Sequence, residues 1–230
     1  LTAKKALIKQ MIQHGDAADL AFDAKTFPPE KTIYLSLLQK TGIHRQNGEH
    51  ASFHAPADAT FKPLWDRTIA LFDQAIDSKI PVASFYDALS GAPIKLKRGF
   101  LEFWIPLVLI IKKEDYSLYS EEGDYIPMLS PEVMDLIYKH PSKFYIKSLS
   151  TKGVNQDFMQ FYKQLVGYNE SNIKGVKSSY ITVYGNFLRF YRGLDEYTQK
   201  TKNLTKVAIG VREAIASAQD PETALFITIP

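Results

Sequence analysis

The longest apolar stretch of the chain lies near its middle. From Phe100 to Ile111 only Glu102 is polar, a pattern that predicts a helix buried on nearly every side. Such a stretch is too short to cross a bilayer and is more typical of a core helix. Pro106 lies inside it and removes one hydrogen bond of the helix, so we expect a kink or a break at that point.

The apolar pattern after this helix changes from helical spacing to alternation. Residues 116–119 and 125–128 alternate, and the acidic turn between them contains Gly123, which predicts a β-hairpin. Ser130-Pro131-Glu132 combines a hydroxyl cap, a proline and an acid, the usual start of a helix. The alternating run from Lys143 to Leu149 predicts a closing strand.

The first part of the chain predicts two short helices. Apolar spacing predicts one helix from Ala3 to His14, and Pro28-Pro29-Glu30 begins a second that ends at Gly42. The dipeptide Asn47-Gly48 then predicts a hairpin turn. With the turn at these two residues, His50 would face Arg45 and His44 would face Ala51.

Two helices are predicted between that hairpin and the central one. The first runs from about Phe61 to Ser78, and the second begins at Pro81 and ends at Gly91. The first is expected to turn a set of mostly apolar side chains inward: Leu64, Trp65, Thr68, Phe72 and Ile76. The second is expected to bury Val82, Phe85 and Leu89.

The last third of the chain has helical spacing throughout. It predicts helices over Val154–Val166, Ile173–Arg192 and Leu204–Gln219, the last with Val207, Val211 and Ile215 as its core face. Three amphipathic helices are enough for a small bundle. The aromatic residues Tyr180, Tyr184, Phe187 and Tyr191 have the spacing of a core stripe.

Together these patterns predict an α+β, mostly helical fold with two winged-helix-like units followed by a helical bundle. The expected domains are 1–92, a helical segment with the first winged-helix-like unit, 93–150, the second unit, and 151–230, the bundle. The two units share an order of elements but do not match residue by residue.

Composition narrows the function classes only slightly. The 230 residues carry a net charge of +3, and there is no cysteine, which excludes disulfides, thiolate metal sites and a cysteine nucleophile. Residues 151–230 contain ten basic and seven acidic side chains, so the whole basic excess lies there. The chain opens without Met or an apolar signal core and ends in an apolar run, and we expect an internal fragment of a longer cytoplasmic protein.

No motif in the sequence carries chemistry. Phosphate-binding loops, nucleophile elbows and zinc-protease motifs are all absent, so we predict neither an enzyme nor a cofactor. His44, His50 and His54 lie close in sequence, but a zinc site needs three or four converging ligands. Surface histidines are the favoured interpretation. The acidic pairs at 114–115 and 121–122 keep a hairpin solvated.

Basic side chains raise the question of nucleic-acid binding. Five of them bracket the central helix: Lys95, Lys97, Arg98, Lys112 and Lys113. The predicted wing at residues 121–124 is acidic, however, and would repel a phosphate backbone. If nucleic acid is bound, the contacts should come from the basic region near the C-terminus: Lys174, Lys177, Arg189, Arg192, Lys200, Lys202 and Lys206.

Four stretches of the chain, in this order, resemble a region of very large bacterial ATP-binding proteins of phage-defence systems, the P-loop proteins of BREX-type systems. The stretches are PPEKTIYLSLLQKTGIHR, PIKLKRGFLEFWIPLVLII, DYSLYSEEGDYIPMLSPEVMDLIYKHPSKFYI and LTKVAIGVREAIASAQDPETALFITIP. The resemblance implies a segment downstream of an AAA-type ATPase domain. It places no catalytic residue on any position of this chain.

The function we expect is therefore a non-catalytic interaction or regulatory module of a large defence-type ATPase. Its partner would be the remainder of its own longer chain or another protein, and we expect no membrane association. The first alternative is a winged-helix module that binds DNA, weakly. The second is an enzyme whose active site has no recognisable motif.

Overall fold

The computed structural model describes residues 2–48, 50–148 and 180–217, and these residues form a mixed α+β fold. Nine α-helices and six strands lie within them. The helices are α1 (Thr2–His14), α2 (Pro29–Ile33), α3 (Lys62–Gln74), α4 (Ala83–Ser90), α5 (Arg98–Ile111), α6 (Pro131–Lys139), α7 (Tyr180–Gly193), α8 (Glu196–Lys200) and α9 (Lys206–Ser217). The strands are β1 (His44–Asn47), β2 (His50–Phe53), β3 (Ile80–Pro81), β4 (Tyr116–Ser120), β5 (Tyr125–Ile126) and β6 (Phe144–Ser148).

The hairpin β1–β2 forms where the sequence predicted it, but with a different register. Asn47 pairs with His50, Arg45 with Ser52, and His44 with Phe53. The predicted pairing of His50 with Arg45 is therefore wrong. Asn47 belongs to the strand, and Gly48, with φ of 66°, supplies the left-handed conformation of the turn.

Between the two hairpins, the end of the first helix and the start of the second differ from the prediction. Helix α3 ends at Gln74, and Ile76, predicted to face inward, is 37% exposed. Pro81 does not begin a helix. It lies in the edge strand β3, where proline is tolerated, and α4 begins two residues later.

Helix α5 is the centre of the core, as its apolar sequence predicts. All residues from Leu101 to Ile110 are buried except Glu102, which is half-buried. The helix is continuous through Pro106 rather than broken there. It packs against α1, α4 and α6, and its Trp104 indole Nε1 donates a 3.0 Å hydrogen bond to Thr68 Oγ1 of α3.

A four-stranded antiparallel sheet lies beside this helical layer. Its strand order is β3-β6-β4-β5, so β6, the last strand in sequence, lies between β3 and β4. The β4–β5 hairpin forms as predicted, with Gly123 at φ of 92°. Ser130 caps α6 by accepting a hydrogen bond from the Val133 amide, which agrees with the helix start predicted there.

The C-terminal helices contact the sheet through tyrosine rings. The Tyr125 ring of β5 lies 5.7 Å from that of Tyr184 of α7, and the Tyr184 hydroxyl donates to the Ile215 carbonyl oxygen of α9 at 3.4 Å. Val207, predicted as a core residue of α9, is instead 67% exposed. The predicted helix 154–166 lies outside the described residues.

One hydrophobic core runs through the described part of residues 2–148. It includes Leu7 and Met11 of α1, Phe72 of α3, the apolar face of α5 and Ile146 of β6. Residues from both predicted units, 1–92 and 93–150, therefore bury side chains against each other. Within the described residues, none of the helices combines the length and apolar character needed to span a membrane.

Candidate functional site

The most unusual backbone of the described residues is a left-handed turn after α1. Asp19, Leu20 and Ala21 have φ values of 51°, 51° and 56°, and none of them is glycine. A left-handed conformation strains residues with a Cβ by about 1–2 kcal/mol each. Strain of this kind persists where surrounding contacts impose it and concentrates at functional sites.

Several contacts hold this turn in place. Leu20 is fully buried, and its carbonyl oxygen accepts a hydrogen bond of 2.8 Å from Gln10 Nε2. Within the turn, the Phe22 amide donates to the Asp19 carbonyl oxygen at 3.1 Å. As a result the Asp19 side chain points at the segment that follows α2.

That segment, Tyr34–Gln39, is a π-helix, a rare conformation that occurs often at functional sites. Two side chains of this segment contact the same oxygen atom of Asp19. Gln39 Nε2 donates to Asp19 Oδ1 at 2.8 Å, and the Tyr34 hydroxyl lies 3.2 Å from that oxygen. Two uncommon backbone conformations thus meet at one carboxylate.

His44 of β1 lies on the buried side of Tyr34. Its Nδ1 is 3.0 Å from the Tyr34 hydroxyl and its Nε2 is 3.0 Å from the Gly15 carbonyl oxygen. Only 3% of His44 is exposed, so this residue corrects the prediction of surface histidines. We call Asp19, Tyr34 and His44 the relay; it runs from the exposed Asp19 to the buried imidazole.

Burial is the largest cause of the pKa shifts of His44 and Tyr34. It lowers the pKa of His44, and a charge on His54 would lower it further, whereas the Gly15 carbonyl and Asp19 oppose the shift. Burial, followed by the charge and hydrogen bond of Asp19, raises the pKa of Tyr34 well above its usual range. Tyr34 therefore keeps its hydroxyl proton at physiological pH.

The lowered pKa of His44 predicts a loss of stability in acid. Because unfolding restores the usual pKa near 6.5, the unfolded chain binds a proton more readily than the folded one. The free energy of unfolding should then be highest above pH 6.5 and fall as the pH drops below it. Urea titrations between pH 7.5 and pH 5 should show a shallower fall for His44→Gln than for the parent chain. Equal slopes would contradict the assignment.

The other histidines of this region do not form a metal site with His44. His50 and His54 are exposed, and the described residues contain no group of three metal-binding side chains. His54 Nε2 instead lies 2.9 Å from Ser52 Oγ. A serine and a histidine two positions apart on an extended chain face the same side, which accounts for this pair.

Glu102, the polar residue of the apolar helix, is the centre of a second polar cluster. Its carboxylate lies 3.4 Å from Lys4 Nζ, 3.3 Å from Arg98 Nε and 3.5 Å from the Tyr138 hydroxyl. Burial and the Glu102 charge raise the pKa of the neighbouring Tyr86 to about 12. Two cations satisfy this half-buried carboxylate, so the cluster joins α1, α5 and α6.

The candidate nucleic-acid contacts are spread over three helices and their connections. Arg189 and Arg192 are exposed on α7, and Lys202 and Lys206 are exposed near the start of α9. Lys200 is paired with Glu196 at 2.6 Å. Lys174 and Lys177 lie outside the described residues.

The relay was not predicted from the sequence, and one signal could have pointed to it. His44 directly follows the buried Ile43 and opens a strand whose later residues are all exposed. A polar residue at the buried end of such a strand needs a partner, because a buried polar group without one destabilises the fold. The left-handed turn has a weaker signal: aspartate tolerates this conformation better than most residues, but Leu20 and Ala21, which also adopt it, do not indicate it.

Comparison of the chain with protein-family models, curated proteins and solved structures found no match.

Proposed function

We propose that this chain is a non-catalytic interaction module of a large bacterial ATPase of the phage-defence type. The ATPase context comes from the sequence resemblance, and the observation that favours an interaction module over a DNA-binding one is the burial of α5. Its residues from 101 to 110 are covered by α1, α4 and α6, and α3 contributes a hydrogen bond to Trp104. Apart from the half-buried Glu102, this stretch has no face left with which to contact bases, and exposed residues of the helix lie in its first turn, at Arg98 and Gly99.

The order of elements supports one winged-helix-like unit over residues 62–148, which begins earlier than the second unit predicted at 93–150 and does not reproduce the first unit predicted within 1–92. Helix α3, strand β3, helices α4 and α5 and strands β4 and β6 follow the order of such a unit, with β5 and α6 inserted before the last strand. In DNA-binding helix-turn-helix proteins the second helix of the pair enters the major groove. The equivalent helix here is α5, which supports a unit specialised for packing.

The β4–β5 hairpin, which would be the wing, adds an electrostatic argument. Its turn carries the exposed Glu121, Glu122 and Asp124. Lys143 pairs with Glu121 at 2.9 Å, and its charge also acts on Glu122, so three acidic side chains face one cation. Hydrogen bonds from its own amide and from Ser120 lower the pKa of Glu122, so it stays charged at physiological pH. A negative hairpin disfavours a phosphate backbone.

Exposed apolar side chains in the C-terminal region support a protein partner. Four of them lie within residues 190–207: Phe190 (66% exposed), Tyr197 (74%), Leu204 (43%) and Val207 (67%). Exposed apolar groups rimmed by polar residues are typical of protein interaction sites. The partner we propose is the remainder of the longer chain or a protein that assembles with it. The contact of α7 with α9 supports the helical-bundle description of this region.

The alternative, nucleic-acid binding, rests on the same region. The exposed cations Arg189, Arg192, Lys202 and Lys206 lie close in sequence to the exposed rings of Phe190 and Tyr197. Cations beside aromatic rings are the usual features of single-strand binding surfaces. This combination makes DNA binding the competing hypothesis.

Fluorescence anisotropy with labelled duplex and single-stranded DNA tests the proposal at two salt concentrations. We expect a Kd no tighter than about 10⁻⁵ M near physiological salt, the range of non-specific phosphate contacts, and further weakening at higher salt. The matched variants are Arg189→Glu/Arg192→Glu and, as a control with the same charge change at exposed residues elsewhere, Lys40→Glu/Arg67→Glu.

Submicromolar binding at the higher salt that is lost only in Arg189→Glu/Arg192→Glu would replace the proposal with the DNA-binding alternative. If neither DNA binds, Phe190→Ser/Val207→Ser should weaken association with the ATPase portion of the longer protein. Unchanged association would place the interaction surface elsewhere on this chain.

A further inference from the structure

The relay contains three contacts of hydrogen-bond length between polar atoms, but at neutral pH it has too few hydrogens to place one in each contact. We call these contacts gaps. The gaps are Asp19 Oδ1 to the Tyr34 hydroxyl (3.2 Å), the Tyr34 hydroxyl to His44 Nδ1 (3.0 Å), and His44 Nε2 to the Gly15 carbonyl oxygen (3.0 Å). A neutral imidazole carries one N–H, a tyrosine carries one O–H, and a carboxylate carries none. Two protons therefore serve three gaps.

Either neutral tautomer of His44 leaves one gap without a hydrogen. With the proton on Nε2, the Gly15 carbonyl is satisfied and Tyr34 donates to Nδ1, so Asp19 and Tyr34 face each other through lone pairs. With the proton on Nδ1, Tyr34 donates to Asp19, but Nε2 then faces the Gly15 carbonyl oxygen without a hydrogen. One additional proton on the imidazole completes all three hydrogen bonds at once.

We propose that Asp19, Tyr34 and His44 form a proton-binding site that acts as a latch on the left-handed turn. When His44 is neutral, with its proton on Nε2, the Tyr34 hydroxyl donates to Nδ1 and only Gln39 holds the Asp19 carboxylate. When Nδ1 accepts a proton from solvent, the Tyr34 hydroxyl rotates and donates to Asp19. The inference is independent of the proposed function.

The charged and titratable groups around His44 come from three other elements. Asp19 lies on the turn, Tyr34 on the π-helix, and His54 follows β2; Asp19 favours the protonated imidazole and His54 opposes it. Arg45, the next residue, is directed elsewhere, since its Nε donates to the Gly42 carbonyl and its Nη2 to the Ala55 carbonyl. Asp19 is thus the group that couples the proton to the turn.

Thermodynamic linkage allows the latch to be measured in two ways, at the His44 imidazole and at the Asp19 turn. If the Asp19 contact raises the proton affinity of His44, then protonation of His44 must strengthen the Asp19 contact by the same factor. The strained backbone at Asp19, Leu20 and Ala21 supplies the tendency to open that the contact opposes. The pKa of His44 and the local stability of the turn should therefore respond to the same substitution.

Two measurements on the whole chain test the latch. Histidine-selective NMR follows the titration of His44, and hydrogen exchange follows the Leu20 and Phe22 amides, whose acceptors are the Ala17 and Asp19 carbonyls. After correction for intrinsic exchange, and relative to amides of α5, protection of these two amides should rise about fivefold or more as His44 becomes protonated. The corresponding rise should be absent in Asp19→Asn and Tyr34→Phe.

Asp23→Asn is the matched control, because Asp23 is exposed on the same segment and its carboxylate accepts a hydrogen bond from the Lys25 amide, away from the relay. Asp19→Asn should lower the pKa of His44, whereas Asp23→Asn should leave it unchanged. Asp19 is itself exposed, so this variant should fold even if Tyr34→Phe does not. A His44 titration that is the same in Asp19→Asn and the parent chain, or protection that rises with acid in both, would overturn the proposal.

Discussion

Replacing Trp104 with alanine is expected to lower the free energy of unfolding by about 3–5 kcal/mol, the usual range for truncating a buried aromatic side chain. Trp104 is fully buried in α5. Its ring lies 5.9 Å from that of Phe61 and 6.0 Å from that of Phe100, both stacked, and 6.4 Å from the ring of Trp65 at a steep angle. The substitution removes all of these contacts and leaves Thr68 Oγ1 without its indole donor.

Urea unfolding followed by circular dichroism measures this loss. Val207→Ala is the control, because Val207 is 67% exposed and surface substitutions usually change stability by less than about 0.5 kcal/mol. A Trp104→Ala chain as stable as the control would mean that α5 is not the centre of the core. It would also remove the main argument for an interaction module.

The elements predicted most accurately are those whose signals are local. The burial of α5 follows from an apolar run, the β4–β5 turn from Gly123, and the start of α6 from the cap at Ser130. Each signal lies within a few residues of the feature it predicts. None of them depends on which distant segment packs against it.

Most of the wrong predictions concern residues whose secondary structure is determined by contacts with segments distant in sequence. Pro81 is a good helix start by local rules. In the structure its neighbour Ile80 pairs with Ile146, and Pro81 therefore belongs to an edge strand. The insertion of β6 between β3 and β4 likewise depends on contacts made by residues far apart in sequence. The error in the predicted hairpin register has a local cause. Asn-Gly commonly forms the two central residues of a turn, but here Asn47 belongs to the strand.

Buried polar groups were the hardest features to predict, and one of them, His44, belongs to the candidate site. His44 and Lys31 are both buried, with 3% and 6% exposed, although lysine is almost never buried and histidine is intermediate in burial. Their polar groups depend on backbone carbonyl acceptors: that of Gly15 for His44, and those of Asp23, Ala24 and Thr26 for Lys31. A carbonyl oxygen is present at every residue, so the sequence does not indicate which carbonyls will converge.

Lys31 of α2 illustrates this convergence. Its ammonium group donates to the carbonyl oxygens of Asp23 at 2.7 Å, Thr26 at 2.9 Å and Ala24 at 3.3 Å, and it lies 4.1 Å from the centre of the Phe27 ring. The loop before α2 is therefore folded around a single cation. An ammonium has three hydrogens, and each of them has an acceptor here.

Lys31→Met should consequently lower the free energy of unfolding by about 3 kcal/mol, although methionine keeps the apolar stem and the helix propensity of lysine. The substitution removes the ammonium donor from three carbonyl oxygens, of which that of Asp23 keeps the Thr26 amide at 3.4 Å; one unsatisfied buried group destabilises a fold by about 1–3 kcal/mol. Because water reaches part of this loop, the expected decrease in the free energy of unfolding is smaller than three such contributions added together. Lys25→Met is the control, since Lys25 is exposed on the same loop and should change stability by less than about 0.5 kcal/mol. Urea unfolding of both variants measures the difference, and equal midpoints would mean that water satisfies these carbonyls as well as the ammonium does.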